Sequence, residues 1–79
     1  MKVRVDVMLK NGVLDPQGKA ISHALGTLGF TGIGDVRAGK VIELEIAESN
    51  TEKAKEIAKN MAEKLLANLV IEDYHVSVL

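Results

Sequence analysis

The chain has 79 residues, a formal net charge of −1, 47% apolar residues and no cysteine. This length predicts a single domain over residues 1–79, and the near-neutral charge argues against broad binding to nucleic acid or anionic membranes. The absence of cysteine excludes disulfides and thiolate metal sites, and no signal peptide or membrane-spanning run is visible, so we expect a cytoplasmic protein.

The first two predicted elements are a strand and a helix. Valine and leucine alternate with other residues over positions 2–9, which predicts a half-buried strand. A helix is predicted from about Pro16 to Leu28, because Asp15 can cap it, Pro16 suits its first position and Gly29 can end it. Its apolar stripe is Ala20, Ile21, Ala24, Leu25 and Leu28.

Gly18 is an unusual residue for the first turn of this helix, because glycine lowers helix stability there. We therefore expect another group to approach the backbone at Gly18. Capping needs only Asp15 and Pro16, which leaves Gln17 and Gly18 for a further role.

Two strands joined by a hairpin are predicted next. A strand is expected around Asp35, Val36 and Arg37, and a second over 41–46, where apolar and charged residues alternate. The pair Ala38-Gly39 resembles the turn of a hairpin, because glycine accommodates positive φ. Arg37 and Lys40 would then flank the tip of this hairpin.

A second helix and a last strand complete the prediction. Ser49 followed by Glu52 resembles a capping box, so the helix is expected over about 51–67, with a last strand over about 73–79. The apolar side of the helix comprises Ala54, Ile57, Ala58, Met61, Ala62, Leu65 and Leu66.

The element order is therefore βαββαβ. Right-handed crossovers would place both helices on one face of a four-stranded antiparallel sheet, which is the ferredoxin-like arrangement of the α+β class. The other face would carry Lys2, Arg4, Asp6, Arg37, Glu43, Glu45 and His75. The outer strands leave backbone groups unpaired, so we expect a homo-oligomer formed by sheet extension or strand exchange.

No motif predicts a catalytic, cofactor or metal site. The segment 12–19 has five residues between its glycines and Ala20 after its lysine, so it does not match a phosphate loop. His23 and His75 lack partners at metal-ligand spacing. An RNA-reading sheet requires exposed aromatic residues on its central strands, and this chain has only Phe30 and Tyr74, so that function is also rejected.

Five motifs resemble the PurS family, the small subunit of phosphoribosylformylglycinamidine synthase. Together they span most of the chain, and the first is the most specific. They are Gly-Val-Leu-Asp-Pro-Gln-Gly at 12–18, Leu-Gly-Phe at 28–30, Val-Arg-x-Gly-Lys at 36–40, Leu-Leu-Ala-Asn at 65–68 and Val-Ile-Glu-Asp-Tyr at 70–74.

The resemblance implies a non-catalytic subunit in purine biosynthesis. Such a subunit joins a glutaminase subunit to an ATP-dependent synthetase subunit and supports the transfer of ammonia between them. ATP and magnesium would bind the synthetase, and this chain would hold no cofactor. We expect its partner contacts at two segments, the helix start with Asp15, Pro16, Gln17 and Gly18, and the hairpin with Arg37, Gly39 and Lys40.

Two other functions fit the same element order. An ACT-like regulatory module would bind amino acids, for which the Gly32–Gly34 loop is a candidate, and would show a thermal shift with them. An enzyme similar to acylphosphatase would use Arg37 to hold an anion and would turn over its substrate unaided. A bridging subunit predicts neither result, but it predicts co-purification with a synthetase and a glutaminase.

Overall fold

The computed structural model describes all of residues 1–79 as an antiparallel sheet of three strands with two α-helices. The chain therefore has an α+β fold. The elements in chain order are β1 (Lys2–Leu9), α1 (Pro16–Thr27), β2 (Gly39–Glu45), α2 (Thr51–Met61), a π-helical segment (Ala62–Leu66) and β3 (Glu72–Val78).

Strand β1 lies in the centre of the sheet, between β2 and β3. Val5 of β1 is opposite Ile42 of β2 and Val76 of β3, and this register places the predicted apolar faces of the three strands on one side. The opposite side carries the predicted charged residues of β1 and β2. Two ion pairs lie there, Lys2 with Glu43 at 3.5 Å and Arg4 with Asp6 at 3.0 Å.

The hydrophobic core lies between β1 and the second helix. Val3, Val5 and Val7 are at most 1% exposed, and they pack beneath three alanines of the helix that are 0% exposed: Ala54, Ala58 and Ala62. Alanine at every fourth position lets the helix backbone approach the sheet closely, so the three valines pack directly beneath it. We refer to residues 1–9 and 39–79 as the core unit.

The arm, residues 16–38, has a different environment. Helix α1 confirms the predicted bounds to within one residue, and it ends in a Schellman motif in which Gly29 (φ 96°) donates to Gly26 and Phe30 donates to Leu25. However, α1 has no extensive packing contact with the sheet or with α2. Its predicted apolar stripe is accordingly mostly exposed, with Leu28 73% exposed. The expectation that both helices cover one face of the sheet is wrong for the single chain, in which α2 packs on the sheet and α1 does not.

The predicted strand at Asp35–Arg37 is not formed, so the sheet has three strands and not four. The prediction of a hairpin turn at Ala38-Gly39 is also wrong. A tight two-residue turn of that kind needs positive φ, and the positive φ values of this chain belong to Gly12, Gly29 and Gly32. Gly39 instead begins β2 opposite Met8, and residues 33–38 before it belong to no strand.

The second helix begins with a different cap from the one predicted. The side chain of Asn50, and not that of Ser49, accepts a hydrogen bond from the N–H of Lys53 at 3.1 Å. The helix reaches Leu66, but its last turn widens into the π-helical segment, where the Ala67 N–H donates to Ala62 O at 2.8 Å. Leu65, which was predicted on the buried side, is 83% exposed.

Candidate partner interface

The two segments predicted as partner contacts meet at the carboxylate of Asp15. Its Oδ1 accepts from the N–H of Gly18 at 2.8 Å and caps α1 as predicted. Its Oδ2 accepts from the N–H of Ala38 at 2.9 Å, which joins the start of α1 to the residue before β2. We call this pair of hydrogen bonds the Asp15 bridge.

Gly18 is buried against the second segment, as its position in the first turn predicted. A Cβ built on Gly18 would overlap the carbonyl oxygen of Val36 and lie 2.9 Å from its carbonyl carbon. Glycine is therefore needed here because the two backbones touch, and not because of an unusual φ. The approaching group is a main-chain carbonyl of the same chain.

Arg37 is turned back onto the core unit and does not lie at a hairpin tip or on the charged face of the sheet. Its Nη2 donates to the carbonyl oxygen of Leu9 at the end of β1. Gly39 is also used internally, because a Cβ at this position would lie 2.5 Å from the carbonyl oxygen of Val7. Among the seven predicted contact residues, the side chains of Pro16, Gln17 and Lys40 are exposed and make no hydrogen bond or close contact within the chain.

Two cavities flank the Asp15 bridge. One, of about 390 Å³, lies between the start of α1 and the uncovered end of the sheet, and it is lined by Pro16, Gln17, Lys40 and Glu72 among others. The other, of about 350 Å³, lies between the loop that precedes α1 and residues 35–37. It is lined by the cations Lys10, Lys19 and Arg37 together with Asp35.

The electrostatics at Asp15 favour its ionised form. The N–H groups of Ala38 and Gly18 hold the pKa of the Asp15 carboxyl below its ordinary value, with smaller contributions from the N–H of Gln17 and the charge of Arg37. Partial desolvation opposes this shift without reversing it. The bridge is therefore charged, and its hydrogen bonds are of the stronger, charge-assisted kind.

A second titratable pair lies between β3 and the π-helical segment, near the Leu9 end of β1. The hydroxyl of Tyr74 donates to Glu63 Oε1 at 3.1 Å, and desolvation together with this neighbouring carboxylate raises the pKa of Tyr74. This pair ties β3 to the π-helical segment. It has no nucleophile or metal-binding partner, and no group of three or more His, Cys, Asp or Glu side chains is arranged to hold a metal ion.

Sequence reasoning missed the groups that complete the bridge, the N–H of Ala38 and the carbonyl of Val36. Every residue except proline has the same main-chain N–H and C=O groups, so no sequence pattern marks the ones that form these contacts. The only signal was indirect, the cost of glycine at Gly18. His23 and His75 are both exposed and stand on different elements, and no helix combines the length and apolar composition needed to cross a membrane.

Comparison with known proteins agrees with the sequence motifs. The family model of PurS, described as phosphoribosylformylglycinamidine (FGAM) synthase, matches residues 2–79. The phosphoribosylformylglycinamidine synthase subunit PurS of Bacillus subtilis is 51% identical over 77 residues, which covers 98% of this chain and 90% of that protein. The same subunit of Mycobacterium leprae is 56% identical over 73 residues, covering 92% and 89%.

A chain in the solved structure of PurLQS from Thermotoga maritima has the same fold. It superimposes with a TM-score of 0.89 and 40% identity, and the match covers 99% of this chain and 95% of that one. The sequence motifs, the family model and the shared fold all extend over nearly the whole chain. The chain therefore belongs to the PurS family of FGAM synthase.

Proposed function

We propose that the chain is the non-catalytic small subunit of FGAM synthase in purine biosynthesis. In this role it joins the glutaminase subunit to the ATP-dependent synthetase subunit and supports ammonia transfer between them. The observation that carries the proposal is the match, over 99% of this chain, to a chain of the PurLQS structure. ATP and magnesium would bind the synthetase, and the complex would work in the cytoplasm.

The physical need for such a subunit follows from the chemistry of ammonia. Ammonia released into water is diluted and protonated, and the ammonium ion is not a nucleophile. Two active sites held in a fixed relation give ammonia a high effective concentration at the activated amide. A small protein can supply this by contact alone.

Reconstitution tests the proposed bridge. With both large subunits present, synthesis from glutamine should require this chain, while synthesis from added ammonium salt at alkaline pH should depend on it far less. The second reaction is the control, because it needs no transfer between sites. Equal glutamine-dependent rates with and without the chain would contradict the proposal.

The contacts with the larger subunits are proposed at the exposed side of the Asp15 bridge. Gln17 and Lys40 are free there, whereas Asp15, Gly18 and Arg37 are occupied by contacts within the chain. The variant Lys40→Ala should weaken binding to the synthetase in titration calorimetry without changing the unfolding midpoint. Lys59→Ala, an exposed lysine on α2, is the matched control. Unchanged affinity for both variants would remove Lys40 from the interface.

We also propose that the chain forms a homodimer by exchange of the arm. The Cα radius of gyration is 15.9 Å, whereas a compact chain of this length has about 12 Å. Residues 31–37 belong to no helix or strand and have no main-chain hydrogen bonds, and the outer edge of β2 is unpaired. In the ferredoxin-like topology the missing strand lies beside β2. The arm of a second copy could supply this strand and cover the sheet with its α1.

Sedimentation measurements test the exchange. Leu28→Glu places a charge in the exposed apolar stripe of α1, so the dimer should weaken by more than about tenfold, since burying an unpaired charge is costly. His23→Glu, an exposed α1 residue outside the predicted apolar stripe, is the matched control and should leave association unchanged. A wild-type chain that sediments as a monomer at micromolar concentration would contradict the exchange.

A further inference from the structure

The hydrogen bond and the close contact that join α1 to the segment before β2 lie at its start. Helix α1 has no extensive packing with the core unit, and the last residue before β2 is held by the same carboxylate that caps α1. The Gly18–Val36 contact and the Arg37–Leu9 hydrogen bond lie at the same place. The direction of the whole arm is thus decided at its base.

A small change at this base has a large effect at the other end. Helix α1 has 12 residues and is about 18 Å long at 1.5 Å per residue. A tilt of about 10° at its first turn therefore moves the far end, near Leu28, by about 3 Å. Apolar side chains are in contact only when their heavy atoms lie within about 4.0–4.5 Å of each other. A displacement of this size is therefore enough to break such a contact.

The two oxygens of Asp15 perform separate tasks. Capping needs one acceptor, and Asn or Ser would cap α1 about equally well. The second oxygen accepts from Ala38, which is 23 residues away in the sequence. An asparagine has one acceptor oxygen and one donor NH₂ group, so it could cap α1 but would turn a donor toward the N–H of Ala38. Only a carboxylate satisfies both N–H groups.

We infer that Asp15 is a positioning residue for assembly, whose second carboxylate oxygen sets the direction in which the arm leaves the core unit. The consequence for association rests on the proposed arm exchange, because a misdirected α1 would no longer meet a second copy in register. The orientation itself does not depend on that exchange. The two statements can therefore be tested separately.

Distance measurements between spin labels test the orientation. The native chain has no cysteine, so His23→Cys on α1 and Asp73→Cys on β3, both exposed, carry labels at those positions alone. Labelled chain is diluted with an excess of unlabelled chain of the same variant, so that each assembly contains one labelled copy. In this background Asp15→Asn should shift and broaden the distance distribution, while the helical circular dichroism stays unchanged because α1 remains capped.

Control variants distinguish the loss of the Asp15–Ala38 hydrogen bond from a general loss of order at the start of α1. Gln17→Ala, in the same turn but outside the bridge, should keep the original distribution. Ala38→Pro removes the other half of the bridge, the N–H donor, and should reproduce the Asp15→Asn result. The double variant should be no broader than either single variant, because both remove the same hydrogen bond. If Asp15→Asn fails to fold, Asp15→Ser and Ala38→Pro provide the same measurement.

The outcomes distinguish this inference from the proposed dimer. An unchanged distance distribution in Asp15→Asn overturns the positioning role, whatever the oligomeric state. A monomeric wild-type chain overturns the arm exchange, and the distances still decide whether Asp15 directs the arm. A dimer in which Asp15→Asn shifts the distances and weakens association by tenfold or more supports both statements.

Discussion

The core unit and the arm are built on different principles. All eight buried apolar residues belong to the core unit, whereas the buried residue of the arm is Gly18. The core unit is held by burial of valine and alanine between sheet and helix, which is non-directional. The arm is held at its base by directional polar bonds and one close backbone contact. A helix can thus be well formed and precisely attached without contributing to the core.

The largest effect should come from the core unit. Val5→Ala removes two methyl groups at a position that is 0% exposed, and we expect a loss of about 2–3 kcal/mol in the free energy of unfolding. Val41→Ala on β2, where the side chain is 54% exposed, should change it by less than about 0.5 kcal/mol. Urea unfolding measures both. Equal losses would mean that burial under the helix is not what stabilises the sheet.

A pair of glycines in α1 sharpens the comparison within the arm. Gly18→Ala should destabilise the chain by about 1–3 kcal/mol, because the new methyl group overlaps Val36. Gly26→Ala has nothing within 4 Å of its Cβ and should stabilise by about 0.4–1 kcal/mol through helix propensity. Thermal unfolding gives the sign of each change. A stabilised Gly18→Ala variant would show that the base of the arm is not closely packed.

The start of the second helix offers a smaller effect inside the core unit. Asn50→Ala removes the side-chain acceptor for the N–H of Lys53 and should cost about 1 kcal/mol. Ser49→Ala is the control, because the Ser49 side chain makes no cap, and it should stay within about 0.5 kcal/mol. The reverse ranking in urea unfolding would restore the capping box predicted from the sequence.

The smallest effect concerns the pH dependence of the Asp15 bridge. The carboxyl has a lowered pKa in the folded chain, so its contribution to stability is complete above the unfolded value of about 4 and is lost as the pH falls through the lower folded value. The stability difference between wild type and Asp15→Asn should therefore shrink below about pH 4. The Val5→Ala difference contains no titrating group and provides the control. A difference for Asp15→Asn that persists unchanged at pH 2–3 would contradict an ionised bridge.

Much of the core unit and the start of the arm could be predicted from the sequence because the signals are local. The alternation of valine in β1 places three residues on one face, and the helix spacing of alanine in α2 predicts the surface that covers them. Asp15 and Pro16 mark the start of α1, and Gly29 marks its end. The cost of glycine at Gly18 indicated a close approach, which the structure places at Val36.

The remaining features depend on contacts between distant parts of the chain. The apolar stripe of α1 predicts a helix with a buried side, but the same stripe can be covered by its own sheet or by another copy, and sequence spacing does not distinguish them. The strand expected at Asp35–Arg37 has no neighbouring strand in the chain, so its residues form no strand and no main-chain hydrogen bonds. Arg37 was predicted at the tip of a hairpin, but its guanidinium donates a hydrogen bond to the carbonyl oxygen of Leu9.

By itself, the sequence determined the helices, the strands of the core unit and the family to which the chain belongs. These follow from local spacing, capping residues and motifs that do not depend on distant contacts. Only the tertiary structure decided that the sheet has three strands, that α1 lies away from it, and that Asp15 connects α1 to β2. The reason is that those features depend on which backbone groups meet, and all residues except proline carry the same backbone N–H and C=O groups.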